Sequence, residues 1–569
     1  MQPASTPSDA DGGRNPWRRY GPIALVAVVV AALVGASFLG GDDPGDEPEG
    51  TTGSTMPTGE LPDGVVTWGM AQEGDLEATF PDTCDTSSGM VAIPFFFRAE
   101  CVAENDTDGG ASAPGVTSDT ITVVAWLPND SDPIFGIVRQ ALGIDDTIDE
   151  VRATYEGMIE VFQEYYETYG RTVELEFVEA SGSMLDPVSA RADAVRAAEL
   201  EPFAVLGGPL LASTWTEELH ARDIVCLFCP GINDSEPTAF GVQPTQGQVQ
   251  AHVVDYVTTK LKDGTAEFAG EGSKGKNRVF GLLSLAQSDA DERRAESYVE
   301  AFADEGIEIV ETGTFPLDPT RAQELATGII AQMKDAGVTT VVVRADPITL
   351  PAFTREATKQ EWFPEWVIGG YPFTDASTFA RTFDQEQWSH AFGLSFLPPN
   401  APQELTPPYR LYEWFHGSPP PADDSLFLTY PQVVLLFTGI HLGGPDLTPE
   451  HFRDALFAFP PTPSAVTQPS VDYGFGLWTD PNKDEDEYEG DYAGVDDMVE
   501  LWWDPEAEGP DEVGTEGTGL YRYVNGGRRY FLGDYTPDIE VFDRDNSVTE
   551  IADPPPAEVP PDYPSPADG

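Results

Sequence analysis

The chain has 569 residues, room for two or three domains. Its 98 acidic residues against 30 basic give a net charge of -68, which excludes nucleic acid as a partner. The acidity runs along the whole chain, and 40% hydrophobic with 11% aromatic residues still supply a large core. This is also the composition of a protein adapted to high salt, where screening weakens self-repulsion.

The first 21 residues read as a cytoplasmic N-terminus. Arg14, Arg18 and Arg19 precede an uncharged run from Pro22 to Leu39, and Asp42, Asp43, Asp46, Glu47 and Glu49 follow it. Basic residues before and acidic residues after orient the N-terminus inside and the body outside. We read residues 22–39 as an uncleaved transmembrane signal anchor, with a cleaved signal peptide as the alternative. The expected location is the cell membrane, single-pass, with the body exported, or secreted if the segment is cleaved. Residues 40–62 read as an acidic disordered linker. Residues 63–118 form a small loop-rich segment stapled by a Cys84–Cys101 disulfide, and Cys226 and Cys229 form a C-x-x-C. Outside the cytoplasm two disulfides are the default. The C-x-x-C ends an apolar strand and precedes Pro230-Gly231, so it reads as a structural pair rather than a redox site.

From Thr120 onward the pattern alternates strand and helix. Ile121–Leu127, Val173–Val178, Phe203–Leu206 and Ile224–Phe228 are apolar strands; helices start near Asp149, Pro187 and Ser213. Phe240–Thr245 is extended, and a helix follows from Gln246 to Leu261. A second series follows, with strands at Val279–Leu285, Ile307–Thr314, Val338–Val343 and Trp366–Ile368. Its helices span Asp289–Glu305, Arg321–Gly337 and Thr349–Gln360, the middle one with Ala322, Leu325, Ala326, Ile329, Ile330 and Met333 on one side. Such alternation predicts parallel, doubly wound sheets. Further on, His390–Phe396 reads as an extended crossing segment, helices lie near Tyr409–Phe415, Tyr430–His441 and Pro449–Ala458, and strands at Tyr473–Trp478 and Val499–Trp503. Leu520–Phe531, split at Asn525-Gly526-Gly527, reads as a hairpin. Residues 533–569 read as an acidic, Pro-rich disordered tail.

Ligands of doubly wound sheets sit beyond the carboxyl ends of the strands. That rule singles out the strand ends at Asn129, Ser213, Asn233, Gln287, Asp346 and Tyr371, which face one another across a groove if the two series form two lobes. Each kind of candidate also has a plainer role. Ser213 and Asp289 suit helix N-caps, Asp346-Pro347 suits a turn, and Tyr371 suits packing. Asp480, Asn482, Asp484, Asp486 and Asp491 imitate a calcium loop, but Glu485 stands where the tight turn needs Gly, so no metal site is predicted.

The order of Ile121–Pro128, Val205-Leu206-Gly207-Gly208-Pro209-Leu210-Leu211-Ala212-Ser213-Thr214, Val225–Asn233, Phe240–Tyr256, Phe280–Phe315, Gln323–Val343 and Tyr430–Leu456 resembles the type I periplasmic binding proteins. The nearest group is the leucine/isoleucine/valine-binding-like receptors of ABC transporters. The resemblance covers roughly Thr120 to Gly527 and rests on order and spacing, not on one motif. It implies an α/β fold of two doubly wound parallel-sheet lobes joined by three crossing segments. Lobe 1 would be 119–244 with 397–465, and lobe 2 would be 245–396 with 466–532. It also implies a small solute in the interlobe cleft, its carboxylate held near Ser213, Thr214, Gly231 and Asn233. Leu211 departs from the hydroxylic pattern of the amino-acid-binding members. On the facing lobe, Asp289, Asp346, Tyr371 and Asp375 are the candidates for an amino group.

The resulting expectation is an exported, membrane-tethered receptor for a small polar solute, amino-acid-like or an amide, partnered by an ABC transporter permease and the membrane. It would close by hinge motion, with no cofactor and no catalytic residue. A sensory or adhesion ectodomain and an exported enzyme are the alternatives. A sensor needs a cytoplasmic output domain, and about 20 residues precede Pro22; no G-x-S-x-G, H-E-x-x-H or P-loop occurs in the chain.

Overall fold

The computed structural model describes residues 60–568 apart from 96, 106–108, 134, 137–138, 140–142, 185, 210–211, 231–237, 288, 371–372 and 476–489. The predicted anchor at 22–39, nearly all of the linker, and the calcium-like loop up to residue 489 lie outside the described residues.

The small N-terminal segment holds α1 (Trp68–Gly74), β1 (Cys84–Asp85) and β2 (Met90–Val91), with Cys84 bonded to Cys101. The first large unit follows: β3 (Thr120–Leu127), α2 (Ile148–Tyr165), β4 (Thr172–Glu179), α3 (Pro187–Ala198), β5 (Ala204–Leu206), α4 (Ser213–His220), β6 (Val225–Leu227) and β7 (Ala239–Phe240). Its strands are parallel in the order β4-β3-β5-β6-β7. Position in the sheet explains the sequence. Central β5 and β6 are wholly buried, whereas edge strand β4 alternates and turns Glu174 and Glu179 to solvent.

The second unit contains α5 (Gln246–Tyr256), β8 (Phe280–Leu285), α6 (Asp289–Asp304), β9 (Ile309–Phe315), α7 (Ala322–Asp335), β10 (Thr340–Arg344), α8 (Leu350–Lys359), β11 (Glu365–Gly369), α9 (Ser377–Ala380), α10 (Gln385–Trp388) and β12 (Ala391–Ser395). Its strands are parallel in the order β9-β8-β10-β11-β12, the same winding as in the first unit. The chain then returns to the first unit as α11 (Pro407–His416), α12 (Leu426–Gly443) and α13 (Pro449–Ala458); α11 and α12 pack on α2. α12 is the one described helix long and apolar enough to cross a membrane, but 72% of it is buried in this unit. A last crossing brings the chain to β13 (Asp497–Pro510), β14 (Glu516–Val524), β15 (Arg529–Phe531) and β16 (Ser547–Val548), which extend the second sheet antiparallel from β12. The chain therefore passes between the units three times, at 241–245, at 396–406 and between α13 and β13, where residues 459–475 and 490–496 are described.

Three expectations need correction. Residues 391–395 are a fifth parallel strand, and the crossing starts only at Phe396. Gly393 is required there, since a Cβ would sit 2.2 Å from the Ile368 carbonyl oxygen of β11. The Asn525-Gly526-Gly527 turn makes no hairpin. β14 and β15 both pair with β13, Tyr523 opposite Leu501 and Arg529 opposite Val499, so the three positive-φ residues form an outward bulge in one edge. The tail expected to be disordered is laid across the molecule. Asn525 donates to the Asn546 carbonyl (2.7 Å) in the second unit, and Ile551 donates to the Asn400 carbonyl (2.7 Å) at a crossing. The Glu558 carboxylate accepts from Val466 N–H (3.0 Å), the Tyr563 hydroxyl donates to Asp85 (2.8 Å), and Trp414 Nε1 donates to the Tyr563 carbonyl (2.9 Å). Extended, Pro-rich backbone needs no internal hydrogen bonds, so these few anchors hold it.

The crossings are clasped by one fully buried ion pair. Arg529 Nε donates to Asp497 Oδ1 at 2.8 Å, both side chains 0% exposed. The same guanidinium donates to the Phe396 carbonyl (2.8 Å), while Asp497 accepts from Ser464 Oγ (2.8 Å) and Ser470 N–H (3.1 Å). The second and third crossings thus share one charge pair. Arg529→Met should leave Asp497 buried without its cation and cost about 3–5 kcal/mol in denaturant unfolding. A loss below about 1 kcal/mol would contradict the clasp.

Candidate functional site

The described candidates at the strand ends are largely engaged with their own loops. Asn129 Oδ1 accepts from Ser131 N–H (2.8 Å) and Oγ (2.6 Å), a local turn. Ser213 is not the N-cap of α4, which is Ala212; its hydroxyl bonds Glu217 at 3.0 Å. Thr214 donates to the Pro187 carbonyl (3.0 Å), and Gln287 is exposed. Asp346 is 0% exposed, and its carboxylate accepts from Ile348 N–H (2.9 Å), Thr349 N–H (2.8 Å) and the Thr349 hydroxyl, so it is used as the turn reading has it. Asp375 is also fully buried; Oδ2 accepts from Ser395 Oγ at 2.6 Å, and Oδ1 has no partner among the described residues. Gly231, Asn233 and Tyr371, and the side chain of Asp289, lie outside the described residues. Cys226 and Cys229 are bonded to each other, a local bridge at the end of β6.

The structure instead gathers a pocket of about 900 Å³ from segments distant in sequence. Its walls come from the crossings (Val242, Phe396, Val471), the first turns of α12 (Phe427, Tyr430) and Phe95 of the N-terminal segment. The tail laid across the molecule, a strap over residues 546–565, contributes Glu550, Pro554, Glu558 and Pro560, and the β13–β14 turn contributes Asp511 to Gly514. That turn reaches the first unit, where Val513 lies against Gly143. Of the strand ends, Phe228 lines the pocket, and Asn129, Ser213, Thr214, Gln287, Asp346 and Asp375 do not. Phe228 has φ 61°, a left-handed conformation costly for a bulky residue, held within the Cys226–Cys229 bridge. The signal available in the sequence is the apolar Phe396-Leu397-Pro398 run; Phe427, 54% exposed on α12, is evident only in the structure.

Most carboxylates around the pocket are held by neighbours. Asp511 pairs with Arg381 (2.8 Å), and Glu512 accepts from the N–H groups of Ser377 (2.8 Å) and Thr378 (3.0 Å) at the start of α9. Asp145, Asp146 and Asp424 bring oxygens within 4.8 Å of one another, the spacing to share a cation. Two of them already bind backbone: Asp424 accepts from Asp145 N–H (3.0 Å) and Asp146 from Ser425 N–H (2.6 Å). Burial, then Asp424 and Asp423, push the Asp146 pKa up.

No protein-family model and no curated protein matches the chain. Solved structures do. A fatty acid ABC transporter substrate-binding protein from Thermomonospora curvata is 13% identical over 76% of this chain and 99% of its own, with a TM-score of 0.44. A putative branched-chain amino acid ABC transporter protein from Silicibacter pomeroyi is 11% identical over 71% and 96%, TM-score 0.47. A leucine-binding protein from Thermotoga maritima is 12% identical over 74% and 99%, TM-score 0.41. What each carries is a property of that protein.

Burial raises the Asp375 pKa from 3.8 to about 7, against the Ser395 hydrogen bond that lowers it. The folded state then binds a proton that the unfolded state has lost. Asp375 therefore costs stability progressively as pH rises from about 3.8 to about 7, and the cost is constant above. Asp375→Asn should raise the melting temperature at pH 8 and leave it nearly unchanged at pH 4; an equal effect at both would contradict the buried acid. The β4-β3-β5-β6-β7 and β9-β8-β10-β11-β12 orders, with three crossings between them, match the two doubly wound lobes and three crossing segments that the resemblance to the type I periplasmic binding proteins implies.

Proposed function

We propose that the chain is an extracytoplasmic solute-binding receptor of an ABC importer, tethered by residues 22–39 and working with a transporter permease. One observation carries the reading. A pocket of about 900 Å³ lies against both units and draws wall residues from all three crossings. That is near the top of the roughly 300–1,000 Å³ usual for small-molecule sites. A ligand there touches the β13–β14 turn of the second unit and α12 of the first, so it favours whichever arrangement brings both into contact. The receptor binds and releases its solute without chemistry on it.

The pocket's aromatic and aliphatic wall supports a larger and less polar solute than the amino acid or amide expected from sequence. Asn129, Ser213, Thr214 and Gln287 are proposed as a secondary polar region at the strand ends, with Gly231, Asn233, Asp289 and Tyr371. Asp346 and Asp375 are proposed as supports of their own loops.

A thermal-shift screen of the full-length chain against amino acids, amides, aliphatic acids and compatible solutes tests this. One class should raise the melting temperature saturably. Phe427→Ala should then weaken that ligand about 10- to 150-fold, since covering a Phe side chain contributes about 1.5–3 kcal/mol. The unliganded melting temperature should hardly move. Stabilisation unaffected by Phe427→Ala would place the site elsewhere.

A further inference from the structure

Arg410, half-buried on α11, lines the same pocket, and no other Lys or Arg among the described residues does. Among the described residues its guanidinium meets no carboxylate, carbonyl or ring. In a chain with 98 acidic and 30 basic residues, paired arginines are what packing produces: Arg278 with Glu365, Arg381 with Asp511, Arg522 with Asp504 and Arg529 with Asp497. An arginine left with its N–H donors unused in a pocket wall is the exception.

The surrounding charges have been accounted for differently. Asp511 is paired, Glu512 and Glu558 accept from backbone N–H groups, and Asp424 holds Asp145 N–H. Among the described residues Asp423 and Glu550 have no side-chain partner, and Glu550 is exposed. They set a limit: a second negative charge on the ligand would meet them. The wall also carries Leu405, Phe427, Leu428, Tyr430 and Leu435.

We infer that the pocket takes an apolar monocarboxylate, its carboxylate on the Arg410 guanidinium and its hydrocarbon along α12. Arg presents paired donors that match a carboxylate, and a neutral ligand would leave them unmet. This rests on the receptor reading and adds the ligand's chemistry. The site differs from the strand-end hydroxyls that the family resemblance implied.

The test compares octanoate, octan-1-ol and octylamine on the full-length chain by thermal shift, with Arg410→Gln and Arg410→Lys. Octanoate should stabilise the unaltered protein, and Arg410→Gln should weaken it about 10- to 150-fold, the range for one hydrogen bond to a charged group. Arg410→Lys should recover part of the loss. Octan-1-ol should bind both proteins alike, which separates the carboxylate contact from partitioning into detergent. Because Arg410 has no partner among the described residues, unliganded melting should be unchanged in both variants. Stabilisation by octylamine instead of octanoate, or octanoate binding indifferent to Arg410→Gln, would overturn the anion and leave the receptor reading standing. Failure of all three probes would overturn the ligand class, and the receptor reading would then rest on the broader solute screen.

Discussion

The arrangement of the two units depends on the buried Arg529–Asp497 pair. Two charges at zero exposure are tolerable only when nearly every donor and acceptor is met. Here the partners come from three places: the Phe396 carbonyl at one crossing, Ser464 and Ser470 at another, and the β13 backbone, where Arg529 also reaches the Asp497 carbonyl at 2.9 Å. The constraint fixes where the crossings run, and the pocket is the space they leave beside α12. Next to the clasp, Gln248 Nε2 bridges Asp491 (2.9 Å) and Asp496 (3.1 Å). Burial first, then Asp491 and Asp472, push the Asp496 pKa well up, which favours the uncharged form of this carboxyl. The hinge region thus avoids stacking like charges in a chain that has little positive charge to offer.

The same shortage shapes the surface and the pocket. With three carboxylates for each basic residue, backbone N–H groups do much of the work that lysine and arginine do elsewhere. Glu512 at the start of α9 and Glu558 on the crossing at Val466 and Thr467 show this. Several arginines form buried pairs that set geometry, such as Arg278 with Glu365 between the start of β8 and β11. The strap formed by residues 546–565 adds a further link between the units, held by backbone and side-chain bonds rather than by a core.

Both doubly wound sheets were legible because strand runs such as Phe280–Leu285 and Val341–Val343 are continuous apolar segments between amphipathic helices. The Cys84–Cys101 bridge followed from compartment and proximity in the segment. The bulge at Asn525 and the strap were not legible, because a Gly-rich turn suits a bulge as well as a hairpin, and a Pro-rich acidic tail can be anchored by a few contacts that composition does not show. The site was the least legible part. Strand-end rules point to single positions such as Asp346, whose carboxylate proves to serve its own turn. The pocket is assembled by tertiary contacts among residues 95, 228, 396, 427 and 554, which share no local pattern.

Inter-unit distance tests the central claim most directly. Spin labels at Val188 on α3, 76% exposed, and at Val310 on β9, 37% exposed, report one unit against the other without touching the pocket. Pulsed electron–electron resonance on the full-length chain, with and without saturating octanoate, should show the distance distribution shift and narrow as the ligand bridges the units. An unchanged distribution at demonstrated saturation would contradict an interlobe receptor that works by hinge closure.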